Sequence, residues 1–447
     1  MRVTTPDPAR ADAPVAPPAA VSRRAAVVFT AAVVAYFVAV VHRTAMGVAG
    51  VEAVDRFGLS ATGLSMFAVV QLVLYAGMQI PAGRLLDRFG PRAVITVGSL
   101  VMAVGQLVLA VADSTPTALV ARVLLGAGDA GIFISAVRLI AEWFPPRRAP
   151  VMVQVTGLIG QSGQLASAIP VAWVLHHQGW GATFGVLAVT GALATVVAFV
   201  GIRSAAPRER VAHERFAPAV RAAVRPAGTR LGFWSHFATP FSANVVALLW
   251  GVPFFVTAQG RTPAEASALL TALTVTAMVT GPVVGRFTAR HPLRRSWSVL
   301  ASCVVTLLAW VWLLVPSTPR PLWQLFVFVV LVAVGGPVAL VGMDFARTFS
   351  PASALGTATG FVNTGGFTST IVALLGVGVV LQVVEPDGAG TYSLDAYRVA
   401  FSVLLVPWVV GVAGVLLSRR RTRAVMREEG VVVPPVREVL RRRRGVR

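Results

Sequence analysis

The side chains in this sequence that could do chemistry stand out because they interrupt long apolar runs. His42 and Arg43 are flanked on both sides by apolar residues. In another apolar run Arg122, Gly126 and Asp129 recur at i, i+4 and i+7, so a helix places them on one face, the two charges about 10 Å apart along its axis. An ionisable group inside a bilayer is expensive and marks a proton or substrate pathway by default. A carboxylate there can take and lose a proton, an arginine can draw in an anion, and histidine, which titrates near neutrality, can carry a proton with the opposite charge logic. Each has a plainer alternative. Asp129 could only pair with an arginine such as Arg122, His42 and Arg43 could reach out to the interface, and His236, alone in a third run, could be a satisfied packing group.

The elements that must position these groups are membrane spans. Of 447 residues, 56% are hydrophobic and 13% charged, where a soluble domain carries about a quarter charged. The runs Ser296–Val315, Leu322–Met343, Ala354–Val384 and Phe401–Ser418 hold no charge at all, and about 18 such residues suffice for a span. Twelve spans follow, at 25–51, 62–83, 93–112, 117–142, 150–175, 182–202, 231–257, 264–285, 296–315, 321–343, 353–383 and 397–418. The fold class is therefore all-α, a polytopic membrane protein with two six-helix groups, 25–202 and 231–418. A disordered tail (1–24), a basic linker (203–230) and a basic tail (419–447) complete it. Arg23-Arg24 before an apolar stretch imitates a signal peptide, but further spans follow, so an uncleaved first helix is expected.

The net charge of +21 would raise the question of nucleic acid, but its distribution answers otherwise. Every basic residue is arginine, and with a cytoplasmic N-terminus 32 of the 39 fall in cytoplasmic segments and four in outer loops. That asymmetry is the positive-inside pattern, and attraction to anionic lipid headgroups accounts for the tails. Nucleic acid is not an expected partner; membrane lipid is. Cys303 is the single cysteine, so no disulfide framework or thiolate metal site is expected. No nucleophilic triad, metal cluster, phosphate-cradling loop or ATP-binding domain is recognisable, and His176-His177 reads as a solvated outer loop. Neither enzyme nor cofactor is expected.

The loop after the second span reads Gly83-Arg84-Leu85-Leu86-Asp87-Arg88-Phe89-Gly90-Pro91-Arg92, and the loop after the eighth has Gly285, Arg286, Arg290 and Arg294 at matching offsets. This is a weak internal repeat. The first loop resembles the signature loop between helices 2 and 3 of the major facilitator superfamily. Gly83, Asp87, Arg88, Gly90 and Arg92 match, while Pro91 departs at a tolerant position. The resemblance implies two parallel six-helix bundles, a substrate site near the bilayer midplane between them, and a latch in which Asp87 sits against the N-terminus of helix 11. Glu142, at the inner end of helix 4, is expected to pair with Arg88 or Arg92 as a gate, with Asp344 and Arg347 flanking the equivalent end of helix 10.

Arg122, Gly126, Asp129 and Ala130, followed by Trp143-Phe144-Pro145, resemble a stretch of the anion:cation symporter branch, with Asp129 where that branch has Glu. His42-Arg43 stands where the branch has Asp-Arg, so Arg43 matches and His42 does not. The organophosphate antiporter pattern lacks its arginine in the seventh span, which offers Trp234, His236, Asn244 and Trp250. The nitrate pattern lacks its arginines in 62–83 and 264–285. Gly157, Gly160 and Gly163, without the Gly-Pro pair of drug antiporters, read as a packing surface, as do Gly356, Gly360, Gly365 and Gly366.

The resemblance implies a transporter working by alternating access, importing a small organic anion with protons and driven by the proton motive force. Arg43 would attract the anion and Asp129 and His42 would carry protons. Arg122 and His236 would border the site, and Tyr36, Gln71, Gln161, Asn244 and Asn363 would line the cavity. A functional monomer in the cell membrane, both termini cytoplasmic, is expected. Two alternatives stay open: a proton-driven exporter of amphipathic compounds, and a transport-dead membrane sensor.

Overall fold

The computed structural model describes residues 22–57, 61–204, 216–386 and 392–431. The tail 1–21, the linker stretch 205–215 and the segment 432–447 lie outside these, and with them the expected disorder of the first tail. Within the described residues the chain is helical, in long apolar helices.

We number twelve helices. α1 is Arg23–Val48. α2 and α3 are the two arms of Ala61–Ala110, 61–89 and 91–110, broken at Gly90. α4 is Thr115–Trp143, α5 runs over 149–178, and α6 over 180–201, the break falling at Gly179. α7 is Ala227–Ala258, α8 Pro263–Arg290, α9 Arg295–Leu314, α10 Leu322–Phe349, α11 Leu355–Val384 and α12 Leu394–Glu428. Gly90 and Gly179 turn the chain at φ 77° and 75° with extended ψ, a region essentially confined to glycine that costs other residues about 1–3 kcal/mol. The starts are encoded by short polar residues. Ser22, Ser114 and Ser393 each accept a hydrogen bond from an N–H of the first turn, and Thr262 with Glu265 forms a capping box before α8.

Large apolar side chains such as Val97, Leu107, Val196, Leu308 and Val379 point outward over half exposed, as helices facing lipid require. Three boundaries differ from the sequence reading. α5 persists to 178, so His176 and His177 belong to its last turn rather than to a loop; the His177 ring stacks on Trp173 at 4.5 Å. α7 begins at Ala227, inside the expected linker, which also holds a short helix, Phe216–Val224. α12 runs on to Glu428, beyond 418, because its arginines continue the helix out of the apolar zone.

The helix ends carrying Arg147, Arg295, Arg347, Arg419 and Arg423 meet on one side of the bundle, the basic end, where Gly83 and Gly285, each followed by an arginine, also make their crossings; the opposite side is the far end. Two close crossings join the first six helices to the last six at the basic end. A Cβ on Gly83 of α2 would lie 2.5 Å from the carbonyl oxygen of Gly356 on α11, and one on Gly285 of α8 would lie 2.9 Å from Cα of Val151 on α5. The repeated glycine of the two loops thus makes the same crossing in each half.

Candidate functional site

Arg43 lies near the end of α1, and Asp129 closes the first segment of α4, just before the helix breaks at Ala130 and Gly131. Nε of Arg43 donates to Oδ2 of Asp129 at 2.6 Å and Nη2 donates to Oδ1 at 2.9 Å, a two-pronged ion pair of the strong kind. The two partners meet unequal surroundings: the Asp129 side chain is 0% exposed, that of Arg43 28%. Arg43 also lies over the Tyr75 ring at 4.6 Å, and Tyr75 packs on Phe367 of α11 at 4.7 Å.

Arg43 opens onto a cavity of about 200 Å³ between the halves. Tyr36, Arg43 and Gln161 line it from the first half and His236, Asn244 and Asn363 from the second; among the described residues Arg43 is the one formally charged member of its lining. Asn363 donates to Oε1 of Gln79 at 2.8 Å, and Gln79 donates to the carbonyl oxygens of Tyr75 at 3.1 Å and Ala130 at 3.2 Å, so the second half is tied to the α4 backbone next to Asp129. Asn244 donates to Thr370 at 2.9 Å. Nδ1 of His236 accepts the Gly366 N–H at 3.0 Å, which keeps that nitrogen unprotonated. Oε1 of Gln161 is buried with no hydrogen-bond partner, an acceptor a solute could meet.

Four expectations need correction. Asp129 is held by Arg43, on another helix, and Arg122, though buried, does not border the cavity. His42 neither lines the cavity nor reaches an interface. Neighbours on a helix point about 100° apart, so as Arg43 faces the cavity His42 turns to α6, Nε2 3.3 Å from the Thr190 hydroxyl. Gln71 lies against Gly126 of α4, away from the lining. Glu142 pairs with Arg138 at 2.9 Å rather than with Arg88 or Arg92; Arg88 lies over Phe89, and Arg92 lies over Phe199 and donates to its carbonyl oxygen.

Between cavity and basic end, Asp87 crosses to α11. Oδ1 accepts the Gly356 N–H at 2.7 Å; Oδ2 accepts the Thr357 N–H at 2.8 Å and its hydroxyl at 2.6 Å. These N–H groups open α11, where a helix leaves donors unsatisfied and its dipole favours negative charge. Arg138, overlooked in the sequence reading, donates to Asp87 at 2.9 Å and links it to Glu142. An arginine inside a span four residues before a glutamate was the available signal. In the second half Arg295 and Arg347 both hold Asp344.

A bundle of twelve apolar helices enclosing a singly charged cavity between two halves is the architecture of a solute transporter. The chain belongs to the major facilitator superfamily, which it matches over residues 29–373. It is 30% identical to a probable sulfoacetate transporter, SauU, of Cupriavidus necator, over 34% of this chain and 35% of that protein. The match thus spans about a third of that relative's length. It is 28% identical to a probable nitrate/nitrite transporter, NarK2, of Mycobacterium tuberculosis, over 74% of this chain and 82% of that one. In fold it is similar to the proton:xylose symporter XylE, with a TM-score of 0.65 at 13% identity over 89% of this chain and 97% of that one.

Proposed function

We propose that this protein imports a small organic anion together with protons, by alternating access of its two halves around the Arg43 cavity, as a monomer in the cell membrane. The observation that carries this reading is the asymmetric ion pair: Arg43 open to the cavity, Asp129 sealed behind it. With Asp129 ionised, Arg43 is neutralised internally and has little attraction to spare. With Asp129 protonated, the guanidinium loses its counter-ion and turns its charge and donors to a solute anion. Anion and proton then load together and leave together, which is symport, powered by the proton motive force. Gln161, Asn244 and Asn363 would supply neutral hydrogen bonds.

A cavity of about 200 Å³ equals roughly seven water volumes at ~30 Å³ each, which suits a solute of a few carbons better than a bulky amphipath. The names of the two relatives, a sulfoacetate and a nitrate/nitrite transporter, point to anions. The spans 62–83 and 264–285 contain no arginine, which favours an organic anion over nitrate. Screening carboxylates, sulfonates, nitrate, phosphate and cationic dyes by thermal shift identifies the ligand, because binding to the folded state alone raises Tm. A cationic dye as the single stabilising compound would defeat the reading. Uptake in right-side-out vesicles against inverted ones then fixes direction.

Orientation rests on the arginine distribution. After Cys303 is replaced, cysteines at 55, 114, 178, 261, 318 and 388 should label from outside, and those at 24, 92, 148, 215, 294, 347 and 425 should not. Positions 215 and 388 lie outside the described residues, so they test the alternation from sequence alone. Strong external labelling at 215 would overturn it.

The latch yields a second expectation. Asp87→Asn should leave membrane insertion and yield unchanged yet lower transport about tenfold or more. The charged acceptor stabilises the state closed at the basic end by about 1–1.5 kcal/mol over a neutral one, a factor of about ten, and alternating access needs both states within reach. Wild-type uptake in that variant would reduce the loop to a passive turn.

A further inference from the structure

A second cavity, about 740 Å³ in volume, lies at the basic end between the α4–α5 turn of the first half and α8, α9, α10 and α12 of the second. Five guanidinium groups line it, from Arg147, Arg295, Arg347, Arg419 and Arg423, against the carboxylates of Asp344 and Glu429. Asp344 is already shared by Arg295 and Arg347. Arg419 has neutral partners, donating to the Ser296 hydroxyl at 3.0 Å and lying over Trp297. Three polar atoms of the lining residues are buried without a hydrogen-bond partner: Nε of Arg295, Nη2 of Arg419 and the hydroxyl of Thr288. Leaving such groups unmatched is costly, and so is converging like charges. The following segment, 432–447, is itself arginine-rich and supplies no net countercharge.

We propose that this pocket binds a phosphate-type oxyanion, either free phosphate or a lipid headgroup. Guanidinium forks match such oxygens in geometry and charge. Because Arg147 belongs to the first half and the other four arginines to the second, the occupant bridges the halves and favours the state closed at the basic end. The site is separate from the Arg43 cavity, with which it shares no lining residue.

The test compares Tm of the purified full chain in potassium phosphate and in potassium chloride at equal ionic strength. A second arm compares phosphatidylcholine nanodiscs with and without phosphatidylglycerol. The expected result is a saturable rise of about 2 °C or more, lost in Arg419→Gln/Arg423→Gln, reduced in Arg147→Gln and kept in Arg43→Gln. A rise with phosphate assigns a soluble anion; a rise confined to phosphatidylglycerol assigns a lipid headgroup. No rise in either arm, or an equal rise in the Arg419→Gln/Arg423→Gln variant, would overturn the proposal, and an undiminished rise in Arg147→Gln would overturn the bridging.

Discussion

Arg43→Gln should reduce uptake per folded, membrane-inserted protein at least ~30-fold. Removing one member of a hydrogen-bonded charge pair costs about 2–5 kcal/mol at a binding site, and 1.4 kcal/mol is a factor of ten in affinity. The loss should fall on anion binding, because Arg43 is the one formal charge facing the cavity among the described residues. Arg43→Lys should recover only part of the activity. An ammonium keeps the charge but cannot hold both Asp129 oxygens in a fork. A stranded carboxylate deep in the bundle can also lower yield, so Arg43→Gln/Asp129→Asn serves as a control: it should restore yield without restoring uptake. Uptake at wild-type levels in Arg43→Gln would place the substrate elsewhere.

Much of the frame was legible in the sequence, because in a membrane the apolar run is both the signal and the structure. The twelve spans follow from run length; the caps Ser22, Ser114 and Ser393, which start their helices two or three residues before the expected spans, were not read from the sequence. The partner of Asp87 was expected from the resemblance of its loop, and the contact with the start of α11 is present. What was not legible is pairing across helices. Asp129 and Arg122 share a face by spacing, yet spacing within one helix does not say which neighbour fills the space opposite, and that neighbour is Arg43 on α1. The same limit hid Arg138, which reaches Asp87 from α4, and Gln79, which links Asn363 to the backbone beside Asp129. His42 was misjudged for a related reason. Adjacency to Arg43 in sequence suggested a shared role, while helical rotation sends the two side chains to different sides of α1.

Asp129→Asn tests the coupling at its centre, since asparagine mimics the protonated acid permanently. Arg43 is then free of its counter-ion at every pH, and because it faces the cavity, water or substrate can solvate it. Yield should therefore stay normal, where a purely structural pair would make it fall. The measurement is made on the reconstituted variant: accumulation of the solute found by the thermal-shift screen, driven by an imposed pH gradient, alongside counterflow exchange of the same solute without one. The proposed mechanism predicts that exchange persists, accumulation disappears, and the remaining flux no longer depends on pH. Accumulation driven by the pH gradient at the wild-type level, in normally folded Asp129→Asn, would contradict it.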